Sequence, residues 1–268
     1  MDKTNIKDVV REKYSQIAMQ NQNSGCCCGC DCSGTNSQVD YSTFSESYEH
    51  FNGYNPNADL NLGCGLPTEF AQIKVGNTVV DLGSGAGNDC FVAHSEVGEM
   101  GKVIGIDFTD QMIAKARENT EMLKLKNVEF NKGDIEEIPL SRSIADVVIS
   151  NCLLNLVPNK QKAFAEIYRI LKPGGHFSIG DVVLVGKLPE NLRQNAELYA
   201  GCVSRTTQKN DYINTIRNAR FCDISIQKEK PIEIPDLTLL SIIKKDEVAD
   251  FKKSKTGIYS ITIFGQKI

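Results

Sequence analysis

The sequence predicts an α/β protein on a doubly wound, mostly parallel seven-stranded sheet. An N-terminal cysteine-rich extension and a small C-terminal substrate-binding region flank it. Three observations carry this prediction. From Thr78 onward, short apolar runs alternate with helical patterns at the spacing of strand–helix–strand units. The run Gly83-Ser84-Gly85-Ala86-Gly87 links the first of these strands to the first helix. Acids stand at or just past the strand ends, as Asp81, Asp107 and Asp134.

Each element has its own signal. Ile6, Val9, Val10, Tyr14 and Ile17 recur at helical spacing with Lys7, Asp8, Arg11 and Glu12 between them, which predicts an amphipathic helix lying against a domain. Residues 20–41 hold Asn, Ser, Gly and Cys with almost no aliphatic side chains, and read as a loop unless the cysteines are bound or bridged. Residues 48–66 read as an irregular connection, with a short helix after Pro67. Strands are expected at 78–82, 102–107, 128–132, 145–150, 176–183, 222–227 and 258–266. Helices are expected at 89–97, from an N-cap at Thr109 to about 124, at 161–171, from 189 to about 201, and at 208–219. Pro173-Gly174-Gly175 should stop the third of these. The chain thus divides into 1–66 (helix and cysteine-rich loop), 67–186 (cofactor core) and 187–268 (substrate-side helices and last strands).

Composition narrows the function. A hydrophobic content of 41% with 24% charged residues is that of a soluble globular protein, and a net charge of −4 argues against nucleic acid as the main partner. The start carries no apolar leader and nowhere do 18 apolar residues run together, so neither secretion nor a membrane span is expected and the expected compartment is the cytoplasm. Ten cysteines in such a compartment are reduced thiols, suited to a soft ion or to redox work rather than to disulfide scaffolding.

The glycine loop selects the cofactor. A dinucleotide fingerprint needs a third glycine where Asn88 stands, and the acid Asp81 just before the loop would repel a pyrophosphate. The same acid suits an amino acid's ammonium group. Asp107, ending the second strand, is placed for ribose hydroxyls, and Asp134, in Gly133-Asp134-Ile135, for an adenine amino group. Met112 or Ile113 would cover the purine. Ammonium, ribose and adenine contacts in this order fit S-adenosylmethionine. The segments VVDLGSGAG, IGIDFTDQM and KGDIEEIP resemble class I S-adenosylmethionine-dependent methyltransferases over about residues 75–185. That resemblance implies a Rossmann-like core and cofactor contacts at Asp81, Gly83, Ser84, Gly85, Gly87, Asp107, Met112, Gly133, Asp134, Ile135 and Asn151, with S-adenosylhomocysteine as product.

The dispersed cysteines bear on the acceptor. Cys152 falls just past the fourth strand in Ser150-Asn151-Cys152, beside the expected methyl group, or is a small buried hydrophobe. Cys64 lies in Gly63-Cys64-Gly65-Leu66-Pro67 and Cys202 in Gly201-Cys202-Val203-Ser204. Three thiolates around one cleft suit a trivalent soft ion. These contexts, with Val10-Arg11-Glu12-Lys13-Tyr14 and the loop holding Cys26, Cys27, Cys28, Cys30 and Cys32, resemble arsenite methyltransferases over nearly the whole chain. The resemblance implies that Cys64, Cys152 and Cys202 bind As(III) from arsenite or its thiol conjugate. It also implies that an additional N-terminal cysteine takes part in thiol–disulfide cycling; of the cluster, Cys32 or Cys30 is taken as the partner of Cys64, with glutathione or thioredoxin as the reductant. Two departures stand out: Ser204-Arg205-Thr206 where the family has small residues, and a short C-terminus like that of compact prokaryotic forms.

Two other readings keep the same residues: a methyltransferase for a small organic acceptor with incidental cysteines, and a metalloid-binding or redox-sensing protein on a vestigial cofactor fold. The CCCGCDC cluster lacks the paired spacing of structural zinc. Cys90 and Cys222 read as packing residues, His50, His94 and His176 as isolated, and the Lys244-Lys245 and Lys252-Lys253 pairs as solvated surface. Asp181, near the end of the fifth strand, suits a place in the cleft or a capping role.

Overall fold

The structure, a computed structural model, describes residues 3–20, 46–187, 206–233, 239–240, 248, 251–254 and 256–268. Seven strands form one sheet: β1 (Thr78–Leu82), β2 (Lys102–Asp107), β3 (Val128–Lys132), β4 (Ala145–Asn151), β5 (Leu171–Val185), β6 (Cys222–Ile232) and β7 (Gly257–Gln266). Their order is β3-β2-β1-β4-β5-β7-β6. The first five run parallel, and β7 is antiparallel to both its neighbours. The helices are α1 (Lys3–Gln20), α2 (Pro67–Phe70), α3 (Asn88–Val97), α4 (Asp110–Met122), α5 (Lys160–Ile170) and α6 (Lys209–Asn218).

Helices on both faces explain why the central strands read as apolar runs rather than alternations. Val79, Val147 and Ile149 pack with Phe91, Val97, Ile113 and Ala116 of α3 and α4. Val80, Leu82 and Val148 pack on the opposite face with Phe164, Ile167 and Ile170 of α5 and Tyr212 and Ile216 of α6. The Asn159 side chain caps α5 by accepting from the Lys162 backbone N–H at 3.0 Å. Its buried Phe164, Ile167 and Ile170 recur at helical spacing, and burying each contributes about 1.5–3 kcal/mol.

Several boundaries move. Pro173-Gly174-Gly175 does not separate α5 from the next strand; β5 begins at Leu171 and the three residues form an irregularity within it. The register jumps there from Ala145↔Leu171 to Val147↔His176, and Gly174 takes φ +77°. β6 continues to Ile232 and β5 to Val185 because both pair along the length of β7. The helix expected from 189 to 201, the cysteine cluster at 26–32 and the Lys244-Lys245 pair lie outside the described residues. No helix among the described residues is long and apolar enough to cross a membrane.

The topology fixes where a ligand can sit. β1 lies between β2, reached by one crossover, and β4, reached by return to the other side. A crevice opens at such a reversal, beyond the carboxyl ends of the strands. The glycine loop follows β1, and Asn151 and Cys152 lie at the end of β4.

Candidate functional site

The glycine loop is tied to the end of β2 by Gly83 N and Ser84 N, which both donate to the Ile106 carbonyl, at 2.8 and 3.1 Å. No atom lies within 4 Å of where a Cβ on Gly85 would stand, so the loop's backbone faces open space there. Gly87 serves a different end. It holds φ +100°, and a Cβ on it would meet the rings of Phe91 and Phe130 at 2.8 Å, so the missing side chain lets α3 seat on the sheet.

Above this loop lies a cleft of two lobes. The first encloses about 770 Å³ including its open mouth, bordered by Tyr14, Tyr48, Asp59, Gly83, Ser84, Gly85, Asp89, Asp107, Met112, Asn151 and Cys152. The second, about 450 Å³, is bordered by Lys7, Val10, Gly133, Asp134 and Ile135. Both share Gly83, Asp107, Phe108, Leu153 and Leu156, so they are continuous. The size suits a small-molecule ligand. The Ser84 hydroxyl is buried within the wall with no hydrogen-bond partner among the described residues.

The first lobe is strongly acidic beneath its surface. Tyr48 OH donates to Asp89 Oδ1 at 2.8 Å, and Asn151 Nδ2 donates to Tyr48 Oη and to the Gly65 carbonyl, each at 2.8 Å. Burial raises the Asp89 carboxyl to about 6 against the pull of the Tyr48 and Asn151 hydrogen bonds. Asp81 is raised well above the ordinary value by burial and by the neighbouring Asp89 charge. The Cys90 thiol donates to Asp81 at 3.3 Å, so Cys90 does more than fill space. The Asp89 charge hinders ionisation of Asp81 beneath it, and Asp89, partly exposed, is the carboxyl that a cation in the cleft can reach. The expected ammonium acceptor, Asp81, does not border the cleft, whereas Asp89 does.

The acids expected to meet ribose and adenine, Asp107 and Asp134, fall at the junction and in the second lobe. Asp107 Oδ1 accepts from Thr109 N at 2.8 Å and Oδ2 from Gly85 N at 3.1 Å, which holds its carboxylate at the shared wall. Thr109 therefore has its own backbone capped by Asp107, and its side chain makes no cap bond. Asp134 pairs with Lys7 of α1 at 2.5 Å, and Lys7 also reaches Glu136 at 2.8 Å. Burial alone would raise the Asp134 carboxyl, but Lys7, the Glu136 N–H and Lys162 together outweigh it and the net shift is downward.

At the other end of the cleft two thiols meet. Cys152 holds φ +57°, a left-handed conformation that costs a non-glycine residue about 1–3 kcal/mol. Its N–H donates to the Gly180 carbonyl at 2.8 Å, which fixes the turn. The Cys64 N–H donates to Asn151 Oδ1 at 3.0 Å, and the Cys64 carbonyl accepts from the Ser260 hydroxyl of β7. Both cysteines are buried against Val182, Leu184 and Ile258. Their sulfurs and a carboxylate oxygen of Asp181 lie within 4.8 Å of one another.

The structure thus brings Cys64 and Cys152 together, and gathers Gly83, Ser84, Gly85, Asp107, Met112, Gly133, Asp134, Ile135 and Asn151 around one cleft. Ile113 packs into the core instead, and Asp81 and Gly87 sit beneath the loop. Cys202, Cys30 and Cys32 lie outside the described residues. The sequence reading missed Asp89, Tyr48, Tyr14 and Asp59. Asp89 had a signal, since the first turn of a helix that follows a glycine loop points back at the loop's ligand. Tyr48 had none, because only the fold carries it to Asn151.

A methyltransferase domain model matches residues 73–220. An arsenite methyltransferase from Halobacterium salinarum is 40% identical over 236 residues, which cover 84% of this chain and 59% of that protein. Another from Aquipseudomonas alcaligenes is 37% identical over 184 residues, covering 66% and 53%. The chain therefore spans a little over half the length of these curated relatives. Among solved structures, an arsenic (III) S-adenosylmethionine methyltransferase from Chlamydomonas reinhardtii is similar at 35% identity and a TM-score of 0.65, over 77% of this chain and 68% of that one.

Proposed function

We propose, for a chain that belongs to the arsenite methyltransferase family within the class I S-adenosylmethionine-dependent methyltransferases, that it methylates trivalent arsenic held by its cysteine thiolates. The observation that carries this reading is the meeting of the Cys64 and Cys152 sulfurs, buried at the edge of the cofactor cleft. Cys202 is proposed as the third thiolate.

The cleft's features fit the methyl donor: open space over Gly85, and the carboxyls of Asp89 and Asp107 on its walls. When bound, S-adenosylmethionine supplies an electrophilic methyl group on a sulfonium sulfur. The chain's own residues bind and orient. Asp89 faces the ammonium with its carboxylate while Asp81 stays beneath the loop, Asp107 accepts from the ribose, and Asp134 with Met112 and Ile135 frames the adenine. Cys64 and Cys152 hold arsenic so that its lone pair points along the cleft. Such alignment supplies about 7–11 kcal/mol of the barrier lowering. No general base is needed, because arsenic loses no proton.

Methyl transfer leaves arsenic formally pentavalent, and its return to the trivalent state takes two electrons. We assign these to a thiol pair that closes a disulfide, Cys64 with Cys32 or Cys30, reopened by glutathione or thioredoxin. A reducing compartment, the cytoplasm, keeps such thiols available.

The test is an assay with arsenite, S-adenosylmethionine and glutathione, the arsenic products being separated by chromatography. Cys64→Ser, Cys152→Ser and Cys202→Ser should each lower methylated arsenic by roughly a hundredfold or more, while cofactor affinity stays near that of the parent. Full methylation in any of the three would sink this reading.

A further inference from the structure

The thiol pocket contains a group that arsenic does not need. Asp181 of β5 is buried and places a carboxylate oxygen within 4.8 Å of the Cys64 and Cys152 sulfurs. Trivalent arsenic is soft, satisfied by three sulfurs, and keeps a lone pair on its open side. A hard oxygen donor adds nothing to that shell.

The surroundings of Asp181 are those of a metal-binding carboxylate. Oδ1 accepts from Asn155 Nδ2 at 2.8 Å and from Val182 N at 2.9 Å, and Oδ2 accepts from Tyr212 OH at 2.9 Å. A carboxylate offers about four acceptor positions, so these three bonds leave one, on Oδ2. Outer hydrogen bonds of this kind orient a metal-ligating carboxylate. Asn155 is fully buried, and its Oδ1 has no hydrogen-bond partner among the described residues.

We propose that Cys64, Cys152 and Asp181 form a site for a divalent borderline cation, Zn²⁺ above all, which occupies the thiol pocket in competition with the metalloid. Zinc takes thiolate sulfur at about 2.3 Å and carboxylate oxygen at about 2.0–2.2 Å, so tetrahedral neighbours stand roughly 3.5–3.8 Å apart. The three donors reach that spacing with small side-chain movements. Each cysteine gives its proton to solvent as its sulfur binds, and no oxidation state changes. The proposal shares two thiols with the arsenic site and rests on that reading for them; Asp181 is what it adds.

The test uses the full chain with a phosphine reductant, so that no added thiol holds zinc. Arsenite methylation is measured against zinc at several arsenite concentrations. Inhibition should be competitive with arsenite. In Asp181→Asn the ratio of zinc's inhibition constant to the arsenite KM should rise roughly tenfold or more. An unchanged ratio, or inhibition that arsenite does not relieve, overturns the proposal. Should Asp181→Asn fail to fold, zinc-edge X-ray absorption of the unaltered protein carrying one equivalent of zinc decides. A mixed sulfur and oxygen shell supports the site, and an all-sulfur shell overturns it. That measurement needs no turnover. A protein that binds zinc this way without methylating arsenite would refute the proposed activity and leave the cation site standing.

Discussion

Asp89 concentrates the electrostatics of the cofactor lobe. Its carboxyl lies at about 6 in the protein alone because burial opposes its charge, and a cationic ligand binds the ionised form. The sign follows: S-adenosylmethionine affinity is full above this value and declines as pH falls through about 6. Asp89→Asn should flatten that decline and weaken binding at neutral pH by roughly tenfold, about 1.4 kcal/mol. Calorimetry from pH 5 to 8 checks both, and an unaltered slope would assign the titration to another group. The residue scale also shows where sequence reasoning stops. Asp81 and Asp89 lie on either side of the same glycine loop, and the sequence reading chose Asp81 although the helix's first turn pointed to Asp89. The answer depends on Cys90, which turns inward to Asp81, and on Tyr48, which turns Asp89 toward Asn151.

Among the elements, the seat of α3 on the sheet depends on Gly87. Alanine there would hold an unfavourable φ and press a methyl group into Phe91 and Phe130. We expect Gly87→Ala to cost about 1–3 kcal/mol, read as an earlier midpoint in urea unfolding; an unchanged midpoint would mean that the rings give way freely. The parallel strands were legible because burial on both faces leaves plain apolar runs such as Val79-Val80 and Val147-Val148-Ile149. The Pro173-Gly174-Gly175 irregularity and the length of β6 were not, since pairing with a strand far along the chain decides both. Cys64 and Cys152 were legible as candidates from their contexts. That Asp181 joins them follows only from the register of β5 against β4 and β7.

For the whole molecule, α1 is the cover of the cleft's second lobe. Lys7 and Val10 border that lobe, Arg11 lies over the Phe108 ring at 5.6 Å, and Ser15 Oγ donates to Gln111 of α4 at 3.0 Å. The Lys7 pairs with Asp134 and Glu136 are partly exposed, so their loss should lower global stability by less than about 1 kcal/mol. Lys7→Ala should instead speed hydrogen exchange in α1 while the sheet amides keep their rates; equal rates in α1 would show that the apolar contacts alone hold it. A last consequence follows from β7, which inserts between β5 and β6 and holds the Cys64 carbonyl through Ser260, 196 residues away. Closing so long a loop is slower than pairing β1 with β2 and β2 with β3 through short crossovers. The half of the sheet that carries the glycine loop can therefore be in place before the thiols have a fixed wall behind them. The proposed soft-ion site is therefore complete only late in folding, once the interposed strand has closed the sheet.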